Sequence, residues 1–389
     1  MNPRSIENSK SLIIEVSNSR ILVDSKIIIN RKKVQLQIDK LNIPGEGRRP
    51  LIIAGPCSAE SEEQLLDTAL KLKAKGIGIL RAGIWKPRTK PGGFEGKGKE
   101  ALPWLQRVKE ETGMLVATEA ATPEHVELSL KAGVDIFWIG ARTTANPFAV
   151  QALADALRGV DIPVFVKNPI NPDLELWIGA IERLNEAGVT RLGAIHRGFS
   201  CYNQKIYRYS PMWQIPIELR RRIPEMMMLC DPSHISGRRD LVAGVSQQAM
   251  DLHMDGLIIE SHCDPDNALS DARQQITPDT LEQLLGNLII RKEILSSENI
   301  DTMRRQIDDI DDQILEMIGR RMQVCREIGE YKKEHDMTVV HEMRYSEIID
   351  RWESRCEQLG IDREFVNRMF GLIHQESIRQ QIEILNNKK

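Results

Sequence analysis

Aromatic residues are scarce, 5% of 389, which argues against the stacked-ring platforms that hold single-stranded nucleic acid. Neither charge sign dominates. Lys and Arg number 53 against 56 Asp and Glu, a formal net charge of −3, so no global cationic field recruits nucleic acid. Six cysteines (57, 201, 230, 263, 325 and 356) form no CxxC pair, which excludes a zinc ribbon or a thioredoxin-like site. They suggest no disulfide framework either, so a reducing cytosol is the expected compartment. The first ten residues lack the apolar run of a signal peptide, and no stretch is apolar for long enough to span a membrane. Without GxxxxGK[ST], P-loop ATP hydrolysis has no support.

What the sequence does contain is a rhythm. Residues 11–43 alternate as short strands, predicting a hairpin extension over 1–45. From 46 to 295, eight short apolar runs are each followed by a helical pattern. The runs are LIIAG (51–55), GILRAG (78–83), MLVATEA (114–120), VDIFWIG (134–140), PVFVKN (163–168), RLGAIH (191–196), MMMLCD (226–231) and DGLIIE (255–260). Nearly continuous apolar strands imply cover on both faces, hence a parallel sheet. Eight strand–helix units predict an α/β fold, a closed (β/α)8 TIM barrel. An open doubly wound sheet is the alternative, but its nucleotide-binding form lacks the GxGxxG turn here.

Residues 299–389 lose all strand alternation. Ile300, Met303, Ile307, Ile310, Ile314, Met317, Cys325 and Ile328 recur mostly at three- and four-residue steps, predicting one helix from about 300 to 334. Further helical patterns occupy 341–358 and 362–386, with Asp362 as an N-cap. This C-terminal all-α domain needs its later helices, or a second copy of itself, to cover so long a stripe.

Barrel chemistry gathers at the C-terminal ends of the strands. Cys57 follows the first strand, His234 the seventh, Glu260 ends the eighth and Asp271 lies beyond it. A thiolate, an imidazole and two carboxylates suit one divalent ion: Mn2+, Fe2+, Zn2+ or Co2+. Taken singly, Cys57 also reads as a small buried hydrophobe, and His196, Cys230, His262 and Cys263 compete for the same role. The rim is also cationic, with Arg81, Lys86, Arg142, Lys167 and Arg197 at or after strand ends. Five cations in one mouth repel unless an anion compensates them, which implies a small, multiply anionic ligand. Gly92, Gly93 and Gly96 suggest a tightly turned loop over it.

AGPCS (54–58), RAGIWKPRT (81–89), IGART (139–143), KNP (167–169), HRGF (196–199), DPSH (231–234) and SDARQQ (270–275) together resemble 3-deoxy-D-arabino-heptulosonate 7-phosphate (DAHP) synthase. The likeness is to the subgroup related to 3-deoxy-manno-octulosonate 8-phosphate synthase. It implies condensation of phosphoenolpyruvate with erythrose 4-phosphate, opening aromatic amino-acid biosynthesis through the shikimate pathway. By the same resemblance Cys57, His234, Glu260 and Asp271 are metal ligands. Arg81 and Lys167 match positions at the phosphoenolpyruvate carboxylate; Gly140, Ala141, Arg142 and Arg197 match its phosphate site. Lys86, Pro87, Arg88 and Thr89 match the aldose-phosphate loop, with Lys86 a candidate proton donor to the aldehyde oxygen. The related enzyme using arabinose 5-phosphate is the rival; its sequence there is of the KANRS type, so KPRT favours erythrose.

On the long helix, Arg321 and Lys332 fall about 20° apart at 100° per residue and face one interior, while Arg304 points about 100° away from Arg321. Salt bridges are the plain explanation and a dicarboxylate ligand the sharper one. MRRQIDDIDDQILEMIGRR (303–321), Lys332 and FGLIHQESIRQQ (370–381) resemble the all-helical class of chorismate mutase. That resemblance implies rearrangement of chorismate to prephenate by Arg304, Arg321, Lys332, Arg344, Ser377 and Gln381, with Arg304 reaching into a partner's site. Tyr345 and His341 stand where the family has acidic residues. The expected protein is therefore a bifunctional homo-oligomer, at least a dimer, open to feedback inhibition by chorismate or prephenate. The alternative is a helical tail that only dimerises and binds an effector.

Overall fold

The computed structural model describes residues 35–86, 92–202, 206–291, 298–339, 351–352, 355–356 and 358–386. They form two compact units, Met1–Lys292 and Glu293–Lys389.

In the first unit eight parallel strands close into a barrel: β1 (Leu51–Gly55), β2 (Ile79–Arg81), β3 (Leu115–Ala120), β4 (Ile136–Ile139), β5 (Val164–Lys167), β6 (Leu192–His196), β7 (Met227–Cys230) and β8 (Gly256–Glu260). Each strand pairs with its sequence neighbour, and β8 pairs back onto β1 with Gly55 opposite Glu260. The (β/α)8 barrel expected from the sequence is present. Its outer helices are α1 (Glu62–Ala74), α2 (Leu102–Thr112), α3 (Pro123–Lys131), α5 (Pro147–Ala156), α6 (Leu174–Glu186), α7 (Gln214–Arg222), α9 (Arg239–Asp251) and α10 (Pro278–Asn287). Two short ones, α4 (Ala141–Thr144) and α8 (Pro232–Ser236), sit directly after β4 and β7.

The helices begin and end where local chemistry dictates. In α1, the Ser61 hydroxyl accepts from the Gln64 N–H, Glu62 and Glu63 occupy the positive first turn and Lys71 and Lys73 the last. Leu65, Thr68, Ala69 and Leu72 make its buried face at helical spacing.

Two apolar layers result. Ile53, Ile79, Ala117, Ile136, Trp138, Phe165, Ile195, Leu229 and Ile258 fill the barrel interior. The alternate strand residues, such as Ala54, Leu80, Val116, Val166 and Ile259, pack under the helices. Leu41 and Ile43 join the interior layer beside Leu51, at the strands' starting end. The hairpin expected over 1–45 is not seen in its described part. Residues 35–43 contain no strand, and the rest lies outside the described residues. The reason is the partners: the Asp39 N–H donates to Thr190 O and the Gln37 N–H to Asn185 Oδ1, loop groups rather than a strand edge.

The second unit holds the long helix α11 (Glu298–Glu334) packed against α12 (Arg363–Asn386). Asp362 caps α12, its carboxylate accepting from the Phe365 N–H at 2.8 Å. Residues 351–352 and 355–356 are helical, and Trp352 stacks on Phe370 with ring centroids 4.4 Å apart. Along α11, Met303, Ile307, Ile310, Ile314 and Met317 are exposed. No helix among the described residues is long and apolar enough to cross a membrane.

Candidate active sites

Strand side chains alternate between faces, so residues two apart point the same way. Two residues beyond the interior side chains Ile79, Phe165, Ile195, Leu229 and Ile258 stand Arg81, Lys167, Arg197, Asp231 and Glu260. Cys57 stands four beyond Ile53, and Gly140 two beyond Trp138. One inward stripe per strand therefore becomes polar at the C-terminal rim, where Gly140, Lys167 and Arg197 line a cavity of about 490 Å³.

Cys57, Glu260 and Asp271 place their donor atoms within 4.8 Å of one another. The Cys57 Sγ lies 3.5 Å from Asp271 Oδ2. His234, on α8, stands beside this trio with its Nε2 3.7 Å from Glu260 Oε1. The surroundings fix the trio: Gln275 Oε1 accepts from the Cys57 N–H at 2.8 Å, and Gln274 Nε2 donates to Glu260 Oε2 at 2.6 Å. Burial, reinforced by the Glu260 charge, pushes the Cys57 thiol up to about 12. Three acidic groups crowded in one buried spot resist joint ionisation, and a divalent cation removes that conflict. The donor set therefore fits a divalent metal.

The cations do not all await a ligand. Arg81 is 1% exposed, pairs with Glu260 at 3.1 Å, donates to Cys57 O at 3.1 Å and lies 4.9 Å over the Trp138 ring. Lys167 Nζ meets Asp231 Oδ2 at 2.8 Å. Two of the five cations expected to need an anionic ligand thus already have buried carboxylate partners. Lys86, Arg142, Lys167 and Arg197 line the cavity with Gly140, Ala141, His234 and Asp271; Arg81 is not among its lining residues. Gly92 and Gly93 also line it, while Pro87, Arg88 and Thr89 lie outside the described residues.

The polar lining or supporting residues Glu119, Arg208, Tyr209 and Asp231, and the apolar lining residues Phe94 and Leu269, were not marked from the sequence. Glu119 accepts from the Trp138 indole N–H at 3.2 Å and fills the space above Gly140, where a Cβ would sit 2.1 Å from its Oε1. Arg208 donates to Gln274 Oε1 at 2.7 Å and stands 3.2 Å from Asp271. Glu119 and Asp231 lie two residues beyond Ala117 and Leu229 on the inward stripe, so the same spacing marks them. Arg208 and Tyr209 come from a loop with no periodic signal.

In the helical unit, Arg321 donates to Ser377 Oγ, and Lys332 donates to Gln381 Oε1 at 3.2 Å and to Val339 O. Ser377 and Gln381 are buried on α12. Arg304 is exposed, 3.3 Å from Asp301. Arg344, His341 and Tyr345 lie outside the described residues.

A family model for the DAHP synthetase I family matches residues 27–296. The chain belongs to that family. A model for chorismate mutase type II matches residues 303–382. The phospho-2-dehydro-3-deoxyheptonate aldolase of Thermotoga maritima is 33% identical over 237 residues, covering 61% of this chain and 68% of that protein. The 2-dehydro-3-deoxyphosphooctonate aldolase of Desulfotalea psychrophila is 30% identical over 268 residues, covering 63% and 90%. The solved DAHP synthase of T. maritima superposes with a TM-score of 0.55 at 32% identity, covering 61% of this chain and 67% of that one. The barrel is thus a DAHP synthase and the helical unit a chorismate mutase, as the sequence motifs implied. Metal dependence is general in the synthase family, and the trio around Cys57 is where this chain can meet it.

Proposed function

We propose that the barrel condenses phosphoenolpyruvate with erythrose 4-phosphate in the cavity above Cys57, Glu260 and Asp271. The carrying observation is that this clustered donor set reaches, through Asp271, a cavity also lined with Lys86, Arg142, Lys167 and Arg197. Lys167 holds the phosphoenolpyruvate carboxylate, and Arg81, buried against Glu260, belongs to its surroundings. Arg142 and Arg197, with the backbone at Gly140 and Ala141, take its phosphate through paired N–H donors. The segment from Lys86 to Thr89 receives the aldose phosphate, and Lys86 delivers a proton to the aldehyde oxygen as C3 of the enol bonds to C1. Water then adds at C2 and phosphate departs, with neighbouring cations stabilising the charge that develops. A divalent ion held by Cys57, His234, Glu260 and Asp271 supplies Lewis acidity towards the aldehyde.

In the helical unit Lys332 and Gln381 address the ether oxygen of chorismate, while Arg321, Arg344 and a partner's Arg304 hold its carboxylates. An intramolecular rearrangement needs positioning and electrostatics rather than a nucleophile. The exposed stripe from Met303 to Met317 supports a homodimer through α11. Prephenate or chorismate bound there would serve as a feedback signal to the barrel.

Assay of the full chain with each substrate set, with and without chelator, tests both halves. Phosphoenolpyruvate consumption with erythrose 4-phosphate is expected, abolished by chelation and restored by Mn2+. Preference for arabinose 5-phosphate would instead favour the octulosonate reaction. Ile310→Glu is expected to give monomers in sedimentation, and prephenate to slow the synthase of the full chain.

A further inference from the structure

Three buried cations stand at the barrel rim, and one is compensated unlike the others. Arg81 has Glu260 at 3.1 Å and Lys167 has Asp231 at 2.8 Å. Arg197 is 3% exposed, yet among the described residues no carboxylate lies within ion-pair distance of it. Its guanidinium carbon instead lies 3.4 Å from the centroid of the Tyr209 ring. Its Nη1 donates to Gly198 O at 3.3 Å, and its backbone N–H donates to Asn168 Oδ1 at 2.7 Å. Burial holds its pKa below the ordinary arginine value, against the opposing pull of Tyr209 and Asp231.

The backbone is built to deliver that ring. Gly198 has φ +78°, and a Cβ there would lie 2.8 Å from Tyr209 Cβ and 2.9 Å from Tyr209 O. Glycine is therefore required twice, for the left-handed turn and for the close approach. Phe199 and Ser210 exchange backbone hydrogen bonds at 2.8 Å in both directions, and the Tyr209 N–H donates to Ile235 O at 3.2 Å. These contacts join residues 197–199 to 209–210 and bring the tyrosine backbone beside Arg197, whose guanidinium its ring meets.

We propose that Tyr209 is the positioning residue for the phosphate-binding arginine of the barrel, its ring serving as the shelf that orients Arg197 towards phosphoenolpyruvate. The proposal rests on the reading of Arg197 given above. A carboxylate partner would hold the guanidinium by the in-plane N–H edge that a phosphate needs, and would have to be displaced. A ring under the flat face stabilises the cation while leaving that edge turned to the anion. Tyr209 and Arg197 both line the cavity, so the arrangement lies where the substrate enters.

Steady-state kinetics on the full chain with Mn2+, together with calorimetric phosphoenolpyruvate binding to the metal-stripped chain, test this. Tyr209→Leu is expected to raise both the Kd and the KM for phosphoenolpyruvate about tenfold, the size of a desolvated cation–π contact. The KM for erythrose 4-phosphate and the kcat should stay within about twofold, since the ring's close contact, at 3.4 Å, is with Arg197, while Arg208 stands further off at 5.5 Å. Tyr209→Phe, which keeps the ring, should restore phosphoenolpyruvate affinity, and chorismate turnover should be unchanged in both variants. In an Arg197→Lys background, Tyr209→Leu should add little further loss, because the two residues act as one unit. Unchanged affinity in Tyr209→Leu, a parallel rise in both KM values, or a Phe variant as impaired as Leu would overturn the proposal. A wild-type chain that neither binds nor consumes phosphoenolpyruvate would overturn the underlying reading of the cavity itself.

Discussion

The Asp231 carboxylate stands 2.8 Å from His234 Nδ1, and the same oxygen stands 2.8 Å from Lys167 Nζ. One buried carboxylate thus serves the imidazole beside the metal trio and the lysine of the substrate cavity. Facing Nδ1, it favours the tautomer whose other nitrogen, Nε2, carries a lone pair towards the Glu260 side. Asp231→Asn keeps the shape and removes the charge. The expected outcome is roughly 10–100-fold weaker metal binding, the usual cost of losing such support. The phosphoenolpyruvate KM should rise with it, because Lys167 loses its anchor. Metal titration and steady-state kinetics on one preparation check both, and a variant changed in neither would refute the coupling.

Cys57 offers a test of the metal site that needs no turnover. Its thiol is pushed up to about 12 by burial and by Glu260, so without metal it is protonated at neutral pH. A metal takes the thiolate, so binding must release that proton. Affinity should therefore rise with pH across the neutral range, and calorimetry in buffers of different ionisation enthalpy should report about one proton released. Cys57→Ser should lose tight binding, and pH-independent affinity in the wild type would contradict this assignment.

The barrel was readable from the sequence because its signal repeats: eight apolar runs, each followed by an amphipathic helix, leave little freedom of topology. The polar rim was readable for the same reason wherever a residue lies on an inward stripe, as Lys167 does beyond Phe165. Applied consistently, that spacing would also have marked Glu119 and Asp231. Two kinds of information were not legible. The pairing of Arg81 with Glu260 joins residues 179 apart, and only barrel closure brings them together. The Arg197–Tyr209 stack depends on a loop whose course follows from Gly198 and three backbone hydrogen bonds, none of which leaves a periodic trace. In the helical unit the 20° offset between Arg321 and Lys332 did carry through, since both reach side chains of α12.

His196 gives the barrel a specific weakness towards acid. It ends β6 on the helix-facing side, with its ring 5.0 Å from Trp213 and 5.7 Å from Phe199. Burial holds its pKa at about 3. The unfolded chain, with an ordinary histidine near 6.5, binds the proton first, so stability falls as pH drops from about 6.5 towards 3. Between pH 7 and pH 4 the contribution is about 3 kcal/mol. His196→Leu should flatten the urea-unfolding profile over this window by a similar amount. A variant whose pH dependence parallels the wild type would show that other groups dominate acid unfolding.

Lys332 separates the two activities. Its ammonium donates to Gln381 Oε1 and Val339 O, both within the helical unit, so replacing it leaves the barrel's own contacts intact. On the proposed reading, Lys332→Ala takes from the chorismate ether oxygen a cationic donor that acts in the transition state, and removing one such donor typically costs about 10²–10³ in kcat. Prephenate formation should fall by that order, while phosphoenolpyruvate consumption stays at the wild-type rate. Ser377→Ala should do less, because Arg321 keeps its charge when its hydroxyl partner is gone. The decisive comparison is the ratio of the two activities in one preparation. Equal losses in both would mean that Lys332 acts through the fold rather than on chorismate, and an unchanged mutase rate would remove it from the site altogether.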